Sequence, residues 1–74
     1  MRGFDADIKW WRARRDISLQ DLKEFEGGQR AMREMRETRW VDVTVEWIAR
    51  TKADIYRFDL LIAAYERLNA KGGS

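Results

Sequence analysis

From residue 41 onward the apolar positions fall in steps of three and four. Val41, Thr44, Ile48, Thr51, Ile55, Phe58, Ile62 and Tyr65 make one seam, and Trp47, Leu61 and Leu68 widen it. Residues three and four apart share a face of a helix, so this spacing marks a stripe along one continuous rod. Glu46, Arg50, Ala53, Arg57, Ala64 and Arg67 are left for the water side. The pattern predicts a long amphipathic helix over 43–70 with an oily face that needs a cover. Asn69-Ala-Lys-Gly-Gly-Ser then supplies the stop, with glycine for a left-handed cap and Lys71 near the last carbonyls.

The front half is more broken. Asp5 to about Arg15 reads as a first helix, acidic at its start and basic at its end as the helix dipole favours. Phe4, Ile8 and Trp11 share one face of it. Ser18 with Asp21 three residues on resembles a capping box, and Ile17 and Leu22 are spaced as a hydrophobic staple. These features predict a second short helix from Leu19 to Glu26, stopped by Gly27-Gly28. One unbroken helix over Asp5–Glu26 is the competing view, and it requires Arg15 and Ser18 on the buried seam. Residues 29–39 have high helix propensity but a thin apolar face of Ala31, Met32 and Met35.

The piece around Val41–Trp47 carries two patterns at once. Val41, Val43, Val45 and Trp47 alternate with Asp42, Thr44 and Glu46, which suits a half-buried strand. The three–four seam runs through the same residues, and Asp42 is a good helix N-cap. The expected fold is therefore all-α: a small helical bundle or hairpin with one long C-terminal amphipathic helix. The alternative is α+β, with a short strand at 41–47 pairing either with residues 29–36 or with another copy of itself. Residues 1–74 form one small domain in this reading, with 1–3 and 71–74 frayed. Ile8, Trp11, Leu22 and Phe25 should pack on Ile48, Ile55, Phe58 and Ile62.

Composition narrows the function. The 74 residues contain no Cys, His or Pro. Disulfides are excluded, no metal site is expected, and nucleophilic or imidazole chemistry loses its usual groups. No glycine-rich phosphate loop or calcium loop is present, so no cofactor is expected. Asp54 and Asp59 border the seam as carboxylates that snorkel or pair with arginine. The expectation is a protein that is not an enzyme. No segment has a signal peptide's apolar core or the length to span a bilayer, so no membrane role is expected and the location is expected to be cytoplasmic.

The net charge is +2, made of 15 basic and 13 acidic groups. That balance suits a salt-bridged helical surface better than a dedicated nucleic-acid module. The sharpest local feature is the run Lys9-Trp10-Trp11-Arg12-Ala13-Arg14-Arg15, in which arginine and tryptophan could stack on bases and hold phosphates. Trp10, Arg12, Arg14, Arg15, Arg30, Met32, Arg33, Met35, Arg36 and Trp40 form the candidate interaction surface. Ile48, Ile55, Phe58, Ile62 and Tyr65 form the core and self-association seam, because isoleucine recurs at heptad spacing at 48, 55 and 62. The expected function is a small protein–protein interaction, adaptor or inhibitor protein, a homo-oligomer in its own right.

Two resemblances add alternatives. Residues 12–35 resemble the first three helices of a helix-turn-helix repressor, with Ser18 at the cap, Leu22 in the core and Gly27 at the turn. That resemblance implies DNA binding, with Arg30, Arg33 and Arg36 on the recognition helix. The chain departs from the motif at Lys23, where a small buried residue belongs, and at Arg33, where an apolar one does. Separately, the order of helix, glycine turn, alternating valine stretch and helix resembles that of small phage head–tail joining proteins, which implies a structural joining role.

Overall fold

The computed structural model describes residues 3–72. It contains two helices and a two-stranded ribbon: α1 over Asp5–Glu26, β1 over Arg33–Arg36, β2 over Arg39–Asp42 and α2 over Thr44–Gly72. The helices pack antiparallel along their length, and the ribbon joins them at one end. Of the ends expected to fray, residues 1–2 and 73–74 lie outside the described residues. Gly3 precedes α1, and α2 continues through Gly72.

The long helix forms where the three–four pattern places it. Asp42 marks its start, although from one position earlier than a cap: Oδ1 accepts from Thr44 N at 2.9 Å and from the Thr44 hydroxyl at 2.6 Å. Val43 O accepts the first intrahelical bond, from Trp47 N at 3.0 Å.

The expected break at Ser18 does not occur. Helix α1 runs unbroken for 22 residues. Phe4, Ile8, Trp11, Arg15, Ser18, Leu22 and Phe25 form its inner seam, every one of them buried or half-buried. Ile17, expected to staple against Leu22, instead stands 62% exposed. The local capping signal loses to tertiary packing: α2 offers Arg15 a partner, Asp59 Oδ1 at 3.3 Å, so the arginine is accommodated on the seam. The end of α1 does fall where expected. Gly27 N donates to Lys23 O at 2.9 Å, and Gly28 takes φ 78°, the left-handed conformation that glycine adopts without strain.

Residues 29–39 are not helical. Strands β1 and β2 pair antiparallel within the chain, with Arg33 opposite Asp42, Glu34 opposite Val41, Met35 opposite Trp40 and Arg36 opposite Arg39. The strand alternative thus holds in a shifted place: it covers 39–42, not 41–47, and its partner lies within 29–36. The chain is mostly helical, as the all-α reading roughly has it, with a small antiparallel hairpin of the kind the alternative allowed. Two main-chain anchors fix the ribbon to the helices. Val43 N donates to Met32 O at 2.8 Å, and Met32 N donates to Thr44 Oγ1 at 3.0 Å.

At the other end, Asn69 ties the start of α1 to the last turns of α2. Its Oδ1 accepts from Phe4 N at 2.9 Å and its Nδ2 donates to Asp5 at 2.8 Å. Between the two ends, Phe4 stacks obliquely on Tyr65 at 5.4 Å and Trp11 on Phe58 at 5.6 Å. Lys52 pairs with Glu26 at 3.2 Å, and Arg12 with Glu66.

The core between the helices is thin, and of the expected cross-helix pairs Trp11 on Phe58 is seen directly. Ile8, Phe25, Val43, Thr51 and Ile62 are buried, and no described side chain is fully so. Two helices side by side cannot enclose an interior. The molecule measures 58 × 25 × 15 Å, with a radius of gyration of 16.8 Å. A compact chain of this length would have a radius of about 11 Å. Its 6053 Å² of accessible surface exceeds the roughly 4,800 Å² of a compact monomer of this mass.

Candidate interaction surface

The candidate residues fall into three separate places. Trp10, Arg12, Arg14 and Arg15 lie on α1. Trp10 is half exposed, meets Trp11 edge-on at 4.7 Å and lies under the Arg14 guanidinium at 5.0 Å. Arg12 and Arg15 are turned toward α2 and engaged by Glu66 and Asp59. Arg30 sits just past α1. Its guanidinium bonds Asp21 at 2.6 Å and Glu24 at 3.1 Å and covers the Phe25 ring at 4.8 Å. These bonds raise the pKa of Arg30; Glu24 is lowered, by Gln20 first and by Arg30.

Met32, Arg33, Met35, Arg36 and Trp40 belong to the ribbon and its root. Alternation along the strands puts Arg33, Met35, Trp40 and Asp42 on one face and Glu34, Arg36, Arg39 and Val41 on the other. The first face looks into solvent, and Trp40 is 64% exposed beside Met35. The second turns toward the start of α2. There Glu34, Arg36, Val43, Glu46, Trp47 and Arg50 line an open recess of about 260 Å³. Glu34 holds Arg36 at 2.7 Å, which raises the arginine's pKa, and Arg50 lies over the Trp47 ring at 5.2 Å. The charges lining the recess are thus mixed, with one acid–base pair already formed.

This placement corrects two expectations. Arg30, Arg33 and Arg36 do not lie on a helix: Arg30 is in the link after α1, and the other two are in β1 on opposite faces. The helix-turn-helix arrangement is therefore not formed, and the basic residues do not gather into one patch. The second correction concerns the seam. Ile62 is buried, while Ile48, Ile55, Phe58 and Tyr65 are half-buried against α1. Most of the seam is thus covered within the chain by α1.

Of the apolar residues that remain open on the helices, only Trp10 was singled out from the sequence as interaction surface. Helix α2 carries a second apolar stripe on its outer side, where Val45 is 76% and Tyr56 66% exposed and Leu60 follows. Ala49, Ala53, Ala63 and Ala64 lie among them, all exposed. Helix α1 has its own outer stripe of Ala6, Trp10, Ala13 and Ile17. Both series are visible as a second run of three–four steps offset from the seam, a signal masked by the stronger one.

Comparison of the chain with protein-family models, with curated proteins and with solved structures finds no match in any of the three. Among the described residues no group of acidic side chains is placed to hold a metal ion, and no helix is long and apolar enough to cross a membrane.

Proposed function

We propose that the chain is a small non-enzymatic interaction protein that works by packing against other protein, copies of itself included. The observation that carries this reading is the surplus of surface. About 1,200 Å² more is exposed than a compact monomer of this mass shows, and much of it is apolar side chain on the outer faces of both helices. A standard protein interface takes about 800 Å² from each partner, so the surplus is of the size a real contact consumes. An adaptor, an inhibitor or a structural subunit acting in the cytoplasm fits this description. Sedimentation velocity across a dilution series tests it: the sample should be heavier than 8.9 kDa at high micromolar concentration. A monomer throughout, which also retains no protein from a lysate of its source, would refute the proposal.

One observation favours a particular form of this reading. The order helix, glycine turn, paired strands, helix supports a structural joining role of the kind the small phage head–tail joining proteins perform. Under this reading the protein co-purifies with assembled particles, and heads made without it fail to acquire tails. Normal tailed particles from a deletion strain would remove it. Nucleic-acid binding keeps no helical reader, and a salt-insensitive or absent shift of a labelled duplex is the expected result.

A further inference from the structure

Inside one chain Phe4 lies level with Tyr65, and Trp11 with Phe58. This fixes the height of each α1 residue against α2. The two outer stripes point in opposite directions, one from each long edge of a body 25 Å wide and 15 Å thick. A second copy laid alongside, without any shift along the long axis, would bring the outer face of its α2 against the outer face of α1 in the first.

In that arrangement the levels match. Ala13 falls opposite Tyr56 of the second copy, Ile17 opposite Ala53, and Ala6 opposite Ala64. Trp10 meets Leu60 at the remaining level. Bulk meets small side chain at two of the four, as helices need in order to approach closely. The flanks agree in charge as well. Lys9 and Asp16 border the α1 stripe, and Asp59 and Lys52, which within their own chain hold Arg15 at 3.3 Å and Glu26 at 3.2 Å, lie beside the α2 stripe at matching heights with the signs reversed. All four are exposed.

The alternative contact, α2 against α2 about a twofold axis, would leave Trp10 and Ile17 uncovered. The surface surplus, about 1,200 Å², lies between what one and two standard faces consume. Each chain has two different faces to satisfy, and a head-to-tail contact satisfies both.

We infer that the occupant of these faces is a second copy of this chain, with the α1 outer stripe of one packed antiparallel on the α2 outer stripe of the next at equal height. The inference rests on the proposal that the protein self-associates, and names the faces and the register through which it does so. Such a contact is heterologous, so each copy leaves one face open for a further neighbour until the set closes on itself.

The chain has no cysteine, which makes a disulfide trap clean. Ile17→Cys and Ala53→Cys proteins, mixed and oxidised, should give the mixed disulfide in large excess over either homodimer. A single chain carrying both substitutions should give a ladder of linked multimers, since its two thiols lie on opposite sides of the molecule. Ala6→Cys with Ala64→Cys is a second pair that guards against a local defect at the first. Predominant Ala53→Cys homodimers would mean that α2 faces itself, and would overturn the inference. Wild-type protein that is oligomeric by sedimentation yet gives no mixed disulfide with either pair would overturn it while leaving the proposed function standing. A wild-type monomer at every concentration would overturn the inference and the self-association it rests on together.

Discussion

The helix pair and the ribbon are made of similar residues and held in opposite ways. Along the helices, side chains meet side chains: Ile8, Phe25, Thr51 and Ile62 are buried, and the rings of Phe4, Trp11, Phe58 and Tyr65 stack between them. In the ribbon every residue from Arg33 to Asp42 is exposed except Val41, and attachment to the helices runs through Met32, Val43 and Thr44 main-chain and hydroxyl bonds. A two-stranded ribbon is marginal by itself. Cooperative stability therefore resides in the helices, and the ribbon is carried by them. A charged chain can be helical or extended with little change in composition; what decides is whether another element is there to cover it.

The sharpest way to break this contrast is to charge the helical seam. Ile62→Asp places a carboxylate at a buried position and should cost about 3–5 kcal/mol, enough to abolish the thermal transition and the helical circular dichroism of so thin a core. Ribbon signals should vanish with it. A melt within a few degrees of wild type would show that the seam is not the source of stability.

A smaller change in the other direction comes from Arg15. Its Nη atoms reach Asp59 and Asp16, but its Nε is buried and unpaired. Arg15→Leu removes that orphaned donor and adds apolar contact on the seam, and should stabilise by about 1 kcal/mol. A lower melting temperature would show that the Asp59 contact outweighs the buried donor.

The ribbon should respond locally. Glu37 holds φ 58° at the first position of the two-residue turn between Arg36 and Arg39. Glycine adopts that conformation without steric cost, so Glu37→Gly should stabilise the turn by up to about 1 kcal/mol. Amide exchange should slow in 33–42 and stay unchanged in the helices. Slower exchange in the helices instead would contradict the separation of the two regions.

Acid should give the smallest effect. The Thr44 hydroxyl and amide donate to Asp42 and hold its carboxyl below the usual carboxylate range. A group whose folded pKa is depressed contributes fully above its unfolded pKa and loses that contribution as pH falls through the folded one. Lower protection factors at Met32 and Thr44, that is, exchange rates corrected for the intrinsic pH dependence, are therefore expected as pH drops through and below the carboxylate range, and Asp42→Asn should show the same loss already at neutral pH. An acid-insensitive ribbon root in wild type would sink this account.

The seam of α2 was legible because apolar residues recur over many turns and no competing pattern has comparable length. The continuity of α1 was not, because Ser18–Asp21 is a genuine local capping signal, and what overrides it is the packing of Ile8, Trp11, Leu22 and Phe25 on a helix far away in the sequence. The ribbon was half legible. Val41 and Val43 did announce extended chain, but Val45 continues their alternation into the helix and drew the strand too far along. Glu37-Thr38 lacks the glycine or asparagine that normally advertises a tight hairpin turn. The candidate surface was read as Trp10 with basic and ribbon residues, whereas much of the apolar exposure lies on the outer helical stripes behind the dominant seam, where Trp10 sits with Ile17, Val45, Tyr56 and Leu60.

A repeated seam brings a danger of its own. With Ile48, Ile55 and Ile62 spaced evenly, α1 could slide by two turns along α2 and still find isoleucine beneath it. Asn69 forbids that, because its amide meets the Phe4 amide and the Asp5 carboxylate in a single phase of the sliding motion. It acts as a key in a lock whose other tumblers are interchangeable, so what it contributes is uniqueness of alignment more than strength.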